Sequence, residues 1–143
     1  MWGEALAAGR SSRVLGPLQI TAGCYAAICD DEDAPHLRDL ARERTALYVG
    51  GVGARGHNFY NDLFAQYGYE REAALIQDLF LSGRKEEAEA AIPDSFLEQV
   101  HVIGDEAFVA DRVAAYREAD VTMLDFALVG PGEARTVEYL ASS

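Results

Sequence analysis

The densest chemistry in the sequence lies between residues 50 and 61. Gly50-Gly51-Val52-Gly53-Ala54-Arg55-Gly56 places four glycines in seven residues, and His57-Asn58-Phe59-Tyr60-Asn61 follows directly. Glycine at this density marks backbone with unusual dihedrals or close approach to another group. Within the run, Arg55 can pair with the acidic tail of a ligand, His57 can exchange a proton near neutral pH, and Tyr60 can line a ring pocket. Arg55, His57 and Tyr60 are therefore the candidate substrate-binding residues. Each also has a plainer role: Arg55 as a helix cap, His57 as a partner for backbone, and Phe59 with Tyr60 as packing.

The other reactive side chains read as structural. His36 lies in a solvated helical pattern and His101 opens a short strand. Cys24 and Cys29 are five residues apart in an alternating stretch, so on a strand they face opposite ways and cannot pair. No CxxC and no Cys/His cluster at ligand spacing is present, so no metal site is expected. Glu86-Glu87-Glu89 reads as a solvated helical face. No residue can be assigned a catalytic role from its type and spacing.

The elements that must position these groups alternate. From Leu18 to Cys29 the apolar residues Leu18, Ile20, Ala22, Cys24, Ala26 and Ile28 fall on every second position, which is a strand pattern. Asp30-Asp31-Glu32-Asp33-Ala34-Pro35 is an acidic helix start, and Leu37, Leu40, Ala41, Leu47 and Tyr48 recur at helical spacing up to Gly50-Gly51. From Asn61 to Ala91 the pattern is helical, with Leu75, Ile76, Leu79 and Phe80 forming a stripe, and a short helix follows Pro93-Asp94. Val100 to Ile103 predicts a short strand ending at Gly104. Asp105-Glu106 then cap a helix carrying Phe108, Val109, Val113 and Tyr116. A third strand, Val121 to Leu128, ends at Val129-Gly130-Pro131-Gly132, and a last helix spans roughly 133 to 140. Strand and helix in alternation predict an α/β fold with parallel pairing. About fifty residues separate the first helix from the second strand, so residues 50–99 are expected to form a helical insertion that folds over the mouth or makes a subunit contact.

Composition limits what such a domain does. The chain has 143 residues, with 12 Lys and Arg against 24 Asp and Glu, giving a formal net charge of −12. A surface of that sign repels phosphate backbones and anionic lipid, so nucleic-acid and membrane partners are not expected. No apolar run reaches membrane-span length and no signal-peptide layout opens the chain, so a cytoplasmic protein is expected.

The run Ala46-Leu47-Tyr48-Val49-Gly50-Gly51-Val52-Gly53-Ala54-Arg55-Gly56-His57-Asn58-Phe59-Tyr60-Asn61 resembles the luciferase-like monooxygenase superfamily, specifically its F420-dependent oxidoreductase branch. The segments Val102 to Glu106 and Arg112 to Ala119 look like the family's penultimate strand and following helix, and Thr122 to Leu128 like its last strand. Trp2-Gly3-Glu4-Ala5-Leu6-Ala7-Ala8-Gly9 resembles interior sequence of such enzymes. Val52 stands where the pattern has Met, and Asp120 where the helix usually ends in Gly.

The resemblance implies the last three strand-helix units of a (β/α)8 TIM-type barrel, a fold that needs about 250 residues. The chain is then expected to be the C-terminal portion of a luciferase-like enzyme that moves hydride between reduced coenzyme F420, a deazaflavin, and a small organic substrate. It is expected to be inactive alone, because most cofactor-contacting and acid/base residues would sit on earlier strands. An FMN-dependent monooxygenase is the nearest alternative. In a barrel, the loops after the last strands and a helix N-terminus commonly hold phosphate, which makes Gly104, Gly130 and Gly132 the candidate cofactor-binding residues. Ordinary turn glycines remain open for all three, and Asp105 and Glu106 would repel a phosphate at Gly104. The expected partners are a missing N-terminal half or further copies of the chain. A non-catalytic α/β module, self-associating through its strand edges, is the reading from a different class.

Overall fold

The computed structural model describes residues 19–142. Trp2 to Gly9 and the first residue of the predicted first strand, Leu18, lie outside them. Three strands form one parallel sheet: β1 (Thr21–Ile28), β2 (Val102–Gly104) and β3 (Met123–Leu128). Between β1 and β2 come α1 (Ala34–Asp39), α2 (Arg42–Ala46), a wide π turn (Leu47–Gly51), α3 (Phe59–Gln66), α4 (Glu70–Leu81), α5 (Lys85–Ala90) and α6 (Asp94–Val100). The α7 helix (Glu106–Glu118) links β2 to β3, and α8 (Glu133–Ser142) follows β3. The predicted α/β class and parallel pairing are present.

The sheet order is β2-β1-β3. In a closed (β/α)8 barrel successive strands are neighbours. Here β2 pairs only with the end of β1, Ala26 to Ile28 against Val102 to Gly104, whereas β3 runs along the other edge from Thr21↔Met123 to Ala26↔Leu128. The described residues thus form an open sheet in which β1 and β3 are the long neighbours. Helices lie on both sides of it, as two right-handed crossovers leading in opposite directions require.

Strand alternation decides which helices meet which face. Cys24, Ala26 and Ile28 share a core with Val102 and with Val109 and Val113 of α7, and Phe126, Tyr139 and Leu140 pack against it. On the opposite face, Ala27 and Ile103 pack with Ala34 and Leu37 of α1. A separate helical core gathers Phe64, Ala73, Ile76, Ile92 and Leu97, and Tyr25 of β1 leans on it. Cys24 and Cys29 are both free and belong to different clusters.

Two local predictions differ from the structure. The first helix is broken at Leu40 and Ala41, which leaves Leu40 and Leu47 on the surface at 51% and 46% exposure. Asp33 occupies the N-cap of α1 but makes no side-chain cap bond; the Asp30 carbonyl accepts from the amides of Asp33 and Ala34 instead. At α7 the acidic cap is formed as expected, with the Asp105 carboxylate accepting from the Phe108 amide at 2.7 Å.

Candidate functional site

The uncovered part of the sheet forms the floor of a cavity of about 560 Å³, within the usual range for a small-molecule site. Gly23 of β1 and Asp125 and Ala127 of β3 form that floor. Gly23 pairs with Asp125, and a Cβ at position 23 would stand 3.0 Å from the Asp125 carbonyl oxygen, so the floor is flat where the two strands meet. The walls come from the helical side: Tyr48 of the π turn, Tyr60 and Phe64 of α3, and Phe96 of α6, with Tyr25 rising from β1. The Tyr48 and Tyr60 rings meet edge to face at 4.6 Å, a favoured aromatic geometry.

Two nitrogen-bearing side chains border this space. The Arg44 guanidinium lies over the Tyr25 ring at 6.0 Å and the Tyr48 ring at 5.7 Å. Hydrogen bonding to those two phenols holds its pKa above the ordinary arginine value. His101 tilts against Tyr25 at 5.3 Å, and its Nδ1 accepts the Tyr25 amide at 3.3 Å. An accepting Nδ1 on a neutral ring assigns the proton to Nε2. Burial first, then the charges of Arg38 and Arg44, pushes the His101 pKa down to about 4, so the ring is neutral at pH 7. Its Nε2 is buried and has no hydrogen-bond partner among the described residues.

Of the three residues expected to bind substrate, Tyr60 alone lines the cavity. Arg55 forms a salt bridge with Asp78 of α4 across exposed surface, and His57 is exposed, with its amide bonded to the Ala54 carbonyl at 2.9 Å. The glycine run that precedes them packs. A Cβ on Gly50 would come within 2.5 Å of the Phe80 Cβ, and Gly51 faces the Phe80 ring. These glycines let the π turn lie directly on α4.

Gly104 and Gly132 lie at the carboxyl end of β1, and Gly130 lies beside α1. The Gly104 carbonyl accepts from the Cys29 amide at 2.9 Å, and a Cβ on Gly132 would lie 3.1 Å from the Ile28 carbonyl oxygen. Gly130 has φ +83° and abuts Leu37, while Gly104 abuts Phe108. Gly130 is favoured by its positive φ, and Gly104 and Gly132 stand close against protein neighbours. Burial, then Asp33, Asp30 and Asp31 at this end, raises the Cys29 pKa against the opposing effect of Arg38. Arg135, the cation nearest Glu106, is already paired with it at 2.8 Å. A phosphate here would face carboxylates. None of the three glycines lines the cavity.

Several residues that matter were not singled out by sequence reasoning. Asn58 is buried, donates to the Tyr48 and Val49 carbonyls at 3.0 and 2.9 Å, and accepts from the Tyr60 and Asn61 amides. Asn61 donates to the carbonyls of Val49 and Ala73. Their signal was an Asn immediately before a helical pattern, a common N-cap. Arg44 and Asp125 were hidden by their neighbours: Arg44 sits among other charged residues, and Asp125 is one polar position in an alternating strand. The described residues contain no group of His, Cys, Asp or Glu able to hold a metal ion, and no helix among them is long and apolar enough to cross a membrane.

Comparison with known proteins bears on the same residues. The luciferase-like monooxygenase family matches residues 1–123. A Mycobacterium tuberculosis protein that carries the name of a coenzyme F420-dependent oxidoreductase is 33% identical over 139 residues, which is 97% of this chain. The chain spans 39% of that relative's length. No solved structure matches. The family match takes in β1, the π turn, the cavity-lining helices and α7, and stops at the first residue of β3; covering most of the chain, it shows that the chain belongs to the luciferase-like monooxygenase family.

Proposed function

We propose that this chain is the C-terminal portion of a luciferase-like, coenzyme F420-dependent oxidoreductase, and that its aromatic cavity holds the small organic substrate. The observation that carries the reading is the 33% identity, along nearly the whole chain, to a relative named for F420 dependence. Bound F420 would supply the hydride. The described residues offer flat aromatic walls that suit a conjugated ring, but the carboxyl end of the sheet, where a barrel holds phosphate, carries Asp30, Asp31, Asp33 and Asp105. In this reading the phosphate and the acidic tail of the cofactor are held by the remainder of a (β/α)8 barrel, and residues 50–99 are an inserted helical cap.

This chain's own contribution is binding and exclusion of water. Tyr25, Tyr48, Tyr60 and Phe96 enclose an apolar ligand against the flat floor at Gly23 and Ala127. The phenols of Tyr25 and Tyr48 hold Arg44 at the mouth, and neutral His101 packs against Tyr25. Asp125 is the carboxylate on the floor.

The test joins this chain to the segment of the M. tuberculosis relative that it does not cover. The joined protein is expected to oxidise reduced F420 in the presence of an unsaturated or carbonyl-bearing acceptor, and the chain alone is expected to give no turnover. Turnover by the isolated chain, or a well-folded joined protein that binds no F420, overturns the reading.

A further inference from the structure

Arg38, Arg42, Arg55, Arg84 and Arg135 each meet a carboxylate within ion-pair distance. Arg44 meets none among the described residues, although acidic residues outnumber basic ones by 24 to 12 in the chain. Its guanidinium is instead held by two phenol rings, and those rings are cavity walls. A guanidinium carries five N–H donors, so bonds to the two phenols leave donors for a further acceptor. An uncompensated cation at the edge of an otherwise apolar, aromatic cavity is a recognition element for an anion attached to an apolar body.

We propose that the cavity selects a flat, aromatic or conjugated molecule bearing one carboxylate, with Arg44 as the group that recognises the carboxylate. The body lies on the floor at Gly23 and Ala127, where no long side chain rises, and against Tyr25, Tyr48 and Tyr60. Asp125 is the negative group on the same floor, so it repels the acidic end and favours the orientation in which that end meets Arg44. Arg44 is the one arginine or lysine among the described residues that line the cavity, which suits a monoanion better than a phosphate dianion. The identification of the cavity as the substrate side rests on the function proposed above; the presence of the anion site does not.

The test compares 2-naphthoate with its neutral counterpart 2-naphthamide, titrated into the full 143-residue chain by calorimetry. Because Arg44 is exposed, the carboxylate is expected to bind only about five- to tenfold tighter than the amide. Arg44→Gln is expected to erase that preference and Arg44→Lys to keep part of it, while Asp125→Asn tightens the carboxylate. Melting curves matched to the parent chain show that the variants fold. Equal binding of the two probes, a preference that survives in Arg44→Gln, or no binding by a folded chain overturns the proposal. Neither probe resembles a deazaflavin, so these failures leave the cofactor reading intact, and failure of F420 binding leaves an observed naphthoate preference intact. Competition separates the sources of the carboxylate. Displacement of naphthoate by F420 assigns the site to the acidic tail of the cofactor, and simultaneous binding assigns it to the substrate.

Discussion

The side-chain amide of Asn58 donates to the Val49 carbonyl at 2.9 Å and, with the same nitrogen, to the Tyr48 carbonyl at 3.0 Å. A π turn widens the helix and frees carbonyls that an ordinary α-helix would bond within itself. Asn58 closes those carbonyls from outside while its Oδ1 caps the amides of Tyr60 and Asn61 at the start of α3. One buried side chain thus joins the two elements that carry Tyr48 and Tyr60. Asn58→Ala leaves buried groups unpaired on both sides and is expected to cost about 2–3 kcal/mol in urea denaturation. Asn58→Asp, which keeps the shape but turns a donor into an acceptor, is expected to cost at least as much. A loss below about 0.5 kcal/mol for either would show that the π turn is held by other means.

Gly51 faces the Phe80 ring and Gly50 its Cβ, so the π turn and α4 touch along backbone. Gly51→Ala is expected to destabilise by about 1–3 kcal/mol through overpacking. The double variant Gly51→Ala/Phe80→Leu is expected to lose less than the sum of the single changes, since the smaller side chain gives the methyl room. Additive losses would place the strain elsewhere.

His101 makes stability depend on pH. Its folded pKa of about 4 lies below the ordinary 6.5, so the unfolded chain binds more protons between those values. The stabilisation is complete above about pH 6.5 and is lost as pH falls toward 4. Discounted for partial exposure, the loss attributable to this group is on the order of 2 kcal/mol. NMR titration of the imidazole is expected to give a midpoint near 4 in the folded chain, and a midpoint near 6.5 would remove the effect.

Asp120 ends α7 in the left-handed region at φ +60°. The Val121 amide bonds the Tyr116 carbonyl and the Asp120 amide bonds the Arg117 carbonyl, which is a Schellman ending that favours glycine at position 120. Asp120→Gly is therefore expected to stabilise the chain by about 0.5–1 kcal/mol in the same urea assay. An unchanged or lower stability would mean that the Asp120 side chain contributes to the native state.

The alternation in Thr21–Ile28 and, within the predicted stripe, Ile76, Leu79 and Phe80 were legible because strand and helix periods are local properties of sequence, whereas Leu75 of that stripe is exposed. The position of β2 was not. Three residues carry too little pattern to show which edge of β1 they join, and pairing across 76 positions, as between Ala26 and Val102, is not encoded in spacing. The Gly50–Asn61 run was recognisable as special, but its glycines answer to Phe80 and its asparagines to freed carbonyls, neither of which is visible one-dimensionally. Tyr60 lines the cavity. Arg44 and Asp125 escaped notice because their meaning comes from the cavity that brings them together across the fold.

The most direct test of the account is the cofactor preference of the chain joined to the uncovered segment of its M. tuberculosis relative, measured by titrating F420 and FMN separately and following fluorescence. The account predicts that F420 binds at least about tenfold tighter than FMN, a difference of about 1.4 kcal/mol. Tighter binding of FMN by the folded protein would contradict it and assign the chain to the flavin-dependent branch of the family.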